Sequence, residues 1–187
     1  MAAPGNILME WIGEGPMDQE VLERVRQRVE DAFALPTQVA VVNGPPGDTR
    51  DPKRGQHSST KIIRWILSGG RGGGQKVLGI TDVDLFIPVL TFVFGEAQVG
   101  GPAAVVSTAR LRRTFDDRPA SPTQVEARLT KECLHELGHT FGLVHCAEGT
   151  CVMSRSNSVL DVDQKRAAFC RDCRQRLEEL MEERNRS

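Results

Sequence analysis

The chain has 187 residues, 39% apolar and 26% charged, with 24 basic against 25 acidic side chains and a formal charge of −1. That length suits one compact domain with its own core, and charges that nearly cancel leave no basic face for nucleic acid or an acidic membrane. No basic, apolar leader and no apolar stretch of bilayer length occurs, so a soluble, cytoplasmic protein is expected, whose five cysteines serve as thiols or metal ligands rather than bridges; a monomer is the expected state, though no residue pattern fixes it.

Asn6 to Ile12 reads as a short strand, after which Asp18 N-caps a helix whose inner face is Val21, Leu22, Val25, Val29 and Phe33. Gln38 to Val42 is an apolar run ended by Asn43-Gly-Pro-Pro-Gly, and Ile62/Ile63 with Ile66/Leu67 then recur at helical spacing. His57, ahead of that helix beside Ser58 and Ser59, reads as a surface or capping residue. The glycine patch from 69 to 74 follows a helix and opens a strand, the reverse of a phosphate loop, so it is read as a plain loop. Lys76 to Phe86, Thr91 to Gln98 and Ala103 to Leu111 are strand-like runs that belong to a mixed sheet.

Ser121-Pro122-Thr123-Gln124 supplies an N-cap, a proline at the first helical position and a capping-box glutamine, starting a helix that runs to about Gly142. Val125, Leu129, Cys133 and Leu137 share its packed face, while His135 and His139 project from another side. Cys133 on that face reads as a buried small hydrophobe. A cysteine-bearing loop follows until Asp161-Val-Asp-Gln opens a final helix with Phe169, Cys173, Leu177 and Leu180 inward. The boundary between lobes is placed at Gly142, so that one domain, 1–187, divides into an upper lobe, 1–142, and a small lower lobe, 143–187.

Three of the four histidines fall in the string His135-Glu136-Leu-Gly-His139-Thr-Phe-Gly142-Leu-Val-His145, which matches the metzincin signature. Residues four apart share a helix face, so the His135 and His139 rings can converge on one ion at about 2.0–2.1 Å from each nitrogen. A third ligand requires the chain to leave the helix; Gly142 permits the left-handed turn, and His145 becomes that ligand. Three neutral imidazoles leave zinc one open position, as in a catalytic site, where a water's pKa falls to about 7. Glu136, beside the ligand face but not on it, is the general base that takes the water's proton and passes it to the departing amine, so peptide hydrolysis follows. A bare His-Glu-x-x-His is most often a solvated helix face, but the glycine and third histidine at the required offsets outweigh that reading. The alternative function is a zinc-bearing binding or scaffold protein with little turnover, because the motif implies a metal but not an accessible cleft. A peptide or protein substrate would bind in extended form along a sheet edge, the Phe92 to Gln98 segment being the candidate.

Cys146, Cys151, Cys170 and Cys173 can close a tetrahedral zinc site that ties the final helix to the loop carrying His145. A redox Cys-x-x-Cys centre and a set of disulfides stay open as rivals, although a redox pair usually opens a helix after a strand and here a helical segment precedes it. Two zinc ions per chain, one catalytic and one structural, are the expected cofactors.

Taken together, His135, Glu136, His139, Gly142, His145, Cys146, Cys151, Met153, Cys170 and Cys173 make the chain resemble the archaemetzincins over residues 135–173, with sixteen residues between Met153 and Cys170, one fewer than in the family's pattern. The resemblance implies an α+β, metzincin-like fold: a twisted mixed β-sheet with three main helices, and upper and lower lobes around a zinc cleft. It also implies one catalytic and one structural zinc, and a Met-turn at Val152-Met153-Ser154 whose methionine floors the metal site. Some metzincins add a tyrosine near the metal; this chain has none, so oxyanion stabilisation falls to other groups.

Overall fold

A computed structural model describes residues 5–42, 44–69 and 75–186. Asn43 and residues 70–74 of the glycine patch lie outside them. The architecture is mixed α/β, with two sheets and five α-helices among the described residues. The larger sheet has five strands, β1 (Ile7–Trp11), β2 (Thr37–Val41), β5 (Lys76–Thr81), β7 (Gly95–Ala97) and β8 (Ala103–Ser107), in the order β2-β1-β5-β8-β7. All neighbours are parallel except the edge strand β7, which runs antiparallel to β8.

The central strands β5 and β8 are buried throughout, which is why Val77 to Ile80 and Ala103 to Val106 read as continuous apolar runs rather than alternating ones. Alternate residues still serve different faces. Leu78, Ile80, Ala104 and Val106 join α1 (Gln19–Phe33) and α3 (Pro122–Thr140) in one cluster, whereas Val77, Ala103 and Val105 join Ile62, Ile63 and Ile66 of α2 (Ser59–Ser68) in another. The helix starts follow the sequence: Asp18 caps α1, and Ser121 and Gln124 form a reciprocal capping box at α3 with Pro122 in its first turn.

The strand-like runs are longer than the strands. Lys76 to Phe86 breaks after Thr81 because the Asp82 carboxylate accepts the backbone N–H groups of Glu14 and Gly15, at 2.8 and 2.9 Å. Beyond that turn β6 (Leu85–Phe86) enters a second sheet with β3 (Arg50–Asp51) and β4 (Gln56–Ser58), whose short strands carry no periodicity to detect. His57, taken from sequence as a surface or capping residue, is instead buried on β4 with Nδ1 2.8 Å from the Thr49 hydroxyl; Ser58 caps α2.

The single final helix expected from Asp161 is two helices. Ser158 caps α4 (Val159–Gln164), with Asp161 completing its capping box, and α5 spans Arg171–Arg186. The break comes at Lys165, whose ammonium turns inward to Glu132 of α3 at 3.3 Å, and Phe169 lies in the connection, edge-on to Phe33. Arg128 of α3 reinforces the junction, gripping Asp163 through two bonds of 2.7 and 2.6 Å and donating to the Leu111 and Arg113 carbonyls. No helix among the described residues is long and apolar enough to cross a membrane.

The C-terminal end of α3 is held by Lys76, which is buried and donates to the carbonyls of Gly101 at 2.9 Å and Thr140 at 2.5 Å. A cation suits the unpaired carbonyls and negative pole of a helix end. Burial nevertheless pushes Lys76 down to about 8, and the charge of Arg184 adds to the fall. Between that value and the ordinary lysine value of about 10.4 the unfolded chain binds more protons than the folded one, so this group makes stability rise with pH across that window. Urea denaturation at a series of pH values should therefore show the parent gaining stability relative to Lys76→Met from pH 8 to about 10.4; a difference that stays flat contradicts the assignment.

Candidate metal centre

Helix α3 ends as its sequence requires. Phe141 is its C-cap, and Gly142 takes a φ of +107°, a conformation costly for residues with a side chain. The N–H of Gly142 bonds the His139 carbonyl at 2.9 Å and that of Leu143 bonds the Gly138 carbonyl at 3.1 Å, the paired bonds of a Schellman turn. The chain thereby reverses over the helix end and brings His145 back to His135 and His139. The three ring centroids lie 4.7, 5.3 and 4.9 Å apart, and one nitrogen from each ring falls within 4.8 Å of the others.

Two of the rings are fixed in tautomer as well as position. His135 Nδ1 lies 2.8 Å from the Val152 carbonyl, and His139 Nδ1 lies 2.8 Å from the Leu143 carbonyl. A carbonyl only accepts, so both Nδ1 atoms carry the proton and both Nε2 atoms present lone pairs. Those lone pairs face each other at 3.1 Å, an arrangement that suits a shared cation. Tetrahedral zinc with Zn–N of about 2.05 Å would separate its nitrogens by about 3.3 Å, close to this spacing. Burial lowers the pKa of all three imidazoles, that of His135 furthest, and so favours the neutral, ligating form.

Glu136 lies on the same turn, buried, in a cleft of about 450 Å³ that it shares with Phe92, Phe94, His135 and His145. Burial raises its carboxyl well above the usual range and the charge of Glu132 adds to the shift, with Lys165 opposing it. A dication held by the histidines would pull the other way. Its carboxylate rests against Gly95 of β7: a Cβ there would lie 2.7 Å from Glu136 Oε1 and 2.7 Å from the Val105 carbonyl. The strand is pinned from its other side, where Glu96 accepts from the hydroxyls of Ser59 at 2.5 Å and Thr60 at 3.1 Å at the start of α2. Gly95, Glu96 and the Glu132–Lys165 pair are site features that sequence reasoning missed. Only Glu132 left a signal, one helical turn before Glu136 on α3.

Met153 is fully buried, and its sulfur fills the space that a side chain on Gly138 would occupy, between the two histidines of α3. The four predicted thiols also meet. Cys146, Cys151, Cys170 and Cys173 lie within 4.8 Å of one another, with 3.8 Å between the Cys146 and Cys170 sulfurs. A tetrahedron with Zn–S arms of about 2.3 Å has edges of about 3.8 Å, so the spacing fits a closed zinc site, whereas a disulfide would need about 2.05 Å. Cys170 stands just before α5 rather than on it, and its sulfur accepts from the Cys173 N–H at 3.5 Å. The pair thus opens a helix after all, although α4 rather than a strand precedes it. Cys133 is buried on α3, as expected.

Residues 71–179 match the model of peptidase family M54. The archaemetzincin of Methanocaldococcus jannaschii is 35% identical over 165 residues, covering 88% of this chain and 89% of that protein. The Methanopyrus kandleri archaemetzincin is 38% identical over 171 residues, covering 91% and 94%. Its crystal structure superposes with a TM-score of 0.82 over 97% of each chain, at 36% identity. The Archaeoglobus fulgidus archaemetzincin, crystallised with malonate, gives 0.77 at 32% identity, over 91% of this chain and 98% of that one.

The close packing of Glu136 on β7 has a mechanical consequence. Gly95→Ala must push either β7 away from β8 or α3 away from the sheet, and should cost about 1–3 kcal/mol of stability in urea denaturation. A loss below about 0.5 kcal/mol, the usual range for a surface substitution, contradicts that packing.

Proposed function

Since the chain belongs to peptidase family M54, the archaemetzincins, and is a zinc metallopeptidase, we propose that His135, His139 and His145 hold its catalytic zinc and that Glu136 is its general base. The observation that carries this reading is the convergence of three imidazoles, two locked with Nε2 outward, beside a buried carboxylate in an open cleft. When bound, the metal supplies a Lewis acid that polarises the scissile carbonyl and acidifies water. Glu136 takes the proton of the attacking water and returns it to the departing amine. Burial of the carboxylate keeps it basic, and Gly95 leaves it room at the cleft wall. The peptide lies extended along the free edge of β7, adding a strand to the sheet. A cleft reaching Glu136 speaks for turnover rather than for a scaffold.

The four thiols take a second, structural zinc that fastens α5 to the loop bearing His145, and Val152-Met153-Ser154 forms the Met-turn beneath the histidines. Five free cysteines suit the reducing cytoplasm.

Glu136→Ala should lower hydrolysis of a peptide library by at least about 10²–10⁴-fold while zinc content is unchanged; a variant that cleaves as fast as the parent removes Glu136 from the mechanism. Metal analysis should give two zinc ions per chain in the parent and one after Cys170→Ser with Cys173→Ser, and an unchanged count contradicts the structural site.

A further inference from the structure

One cation in the cleft has no task in this mechanism. Arg155 comes two residues after Met153, is exposed, and lines the cleft with His145, Ser156 and Asn157. Its charge reaches His145, where it helps lower the imidazole's pKa. Among the described residues no hydrogen bond or ion pair engages its guanidinium. Three other guanidinium forks in the chain hold carboxylates: Arg24 takes Glu126, Arg110 takes Asp84 and Arg128 takes Asp163, each through two parallel bonds. Of the acidic groups sharing the cleft, Glu132 pairs with Lys165, and Glu136, packed at Gly95, is the base of the proposed reaction. The next residue, Ser156, adds a buried hydroxyl that has no hydrogen-bond partner among the described residues. An unfilled guanidinium thus lines the cleft next to a residue whose hydroxyl is unpartnered, and a planar guanidinium matches a carboxylate.

We propose that Arg155, with the Ser156 hydroxyl beside it, captures a carboxylate of the bound peptide and thereby selects which peptides the cleft accepts. The inference rests on the peptidase reading above. The carboxylate is either the peptide's C-terminus or an acidic side chain, and either source fixes the cut at a set distance from it. The contact is made alike in ground and transition states, so its loss appears in KM rather than kcat.

The test uses the full zinc-loaded chain, Arg155→Gln and Arg155→Lys. The binding probes are dipeptides joined to a metal-chelating hydroxamate, ending in a free acid or an amide and carrying Glu or Gln at either position. The shared chelator cancels in each comparison, so the ratio of acid to neutral affinity reports the side chain alone. The parent should bind one acid form at least about tenfold more tightly than its neutral counterpart. Arg155→Gln should lose that ratio, Arg155→Lys should keep part of it, and the position of the preferred acid identifies its source. Equal binding of acid and neutral probes by the parent, or a preference that survives in Arg155→Gln, overturns the proposal. Peptide-library turnover is measured in parallel and should show the same preference, lost through KM in Arg155→Gln. If the parent cleaves nothing while the Arg155-dependent binding ratio persists, the peptidase reading falls and the assignment of Arg155 stands.

Discussion

The carbonyl of Leu143 accepts from His139 Nδ1 at 2.8 Å, and it is there because Gly142 turns the chain back over the end of α3. One reversal does three things. It satisfies the Gly138 and His139 carbonyls, sets the tautomer of His139, and delivers His145 to the other two rings. A residue with a side chain at position 142 would strain the turn at its φ of +107°, and ring, carbonyl and third histidine would shift together. The Val152 carbonyl does for His135 what that of Leu143 does for His139, and it follows Cys151 of the thiol cluster. The placement of the imidazole rings thus depends on backbone carbonyls whose positions are set by a helix end and by the loop that carries Cys151.

Residues after Gly142 are fastened to α3 by apolar packing, in which Val152, Met153, Val162 and Phe169 share one cluster with Leu129, Cys133 and Leu137, and by polar contacts. The buried Lys165–Glu132 pair and the Arg128–Asp163 fork join α4 and the loop beyond it to the helix carrying His135 and Glu136. Lys131 adds bonds to the carbonyls of Val162 and Asp163 at the end of α4. Paired buried charges of this kind contribute little net stability, but breaking one partner leaves a buried charge without compensation. Their geometric effect is to keep residues 151–157, and with them Met153 and Arg155, in one position relative to the histidines.

Patterns that follow from local geometry were legible in the sequence. The capping box at Ser121 and Gln124, the four-residue spacing of His135 and His139, the glycine before His145 and the thiol spacing all correspond to what the structure contains. Contacts between distant segments were not legible. Nothing in the Thr91 to Gln98 run distinguishes Gly95 as the residue against which Glu136 packs, because that requires knowing that β7 lies over α3. His57 looked like a surface residue because the two-residue strand β3 and the three-residue strand β4 are too short to show alternation. The final helix looked continuous because the apolar spacing of Phe169, Cys173 and Leu177 is helical, whereas the inward turn of Lys165 depends on Glu132, a partner 33 residues away.

The central claim is that a helix stopped at Gly142 gathers three imidazoles around one ion and leaves one coordination position open. It is tested most directly by crystallising the zinc-loaded chain and mapping anomalous scattering at the zinc edge. The account predicts a peak bonded to Nε2 of His135, His139 and His145 at about 2.0–2.1 Å, with a single solvent atom completing the shell. A peak that omits His145, or one whose fourth position is filled by a protein side chain, contradicts it.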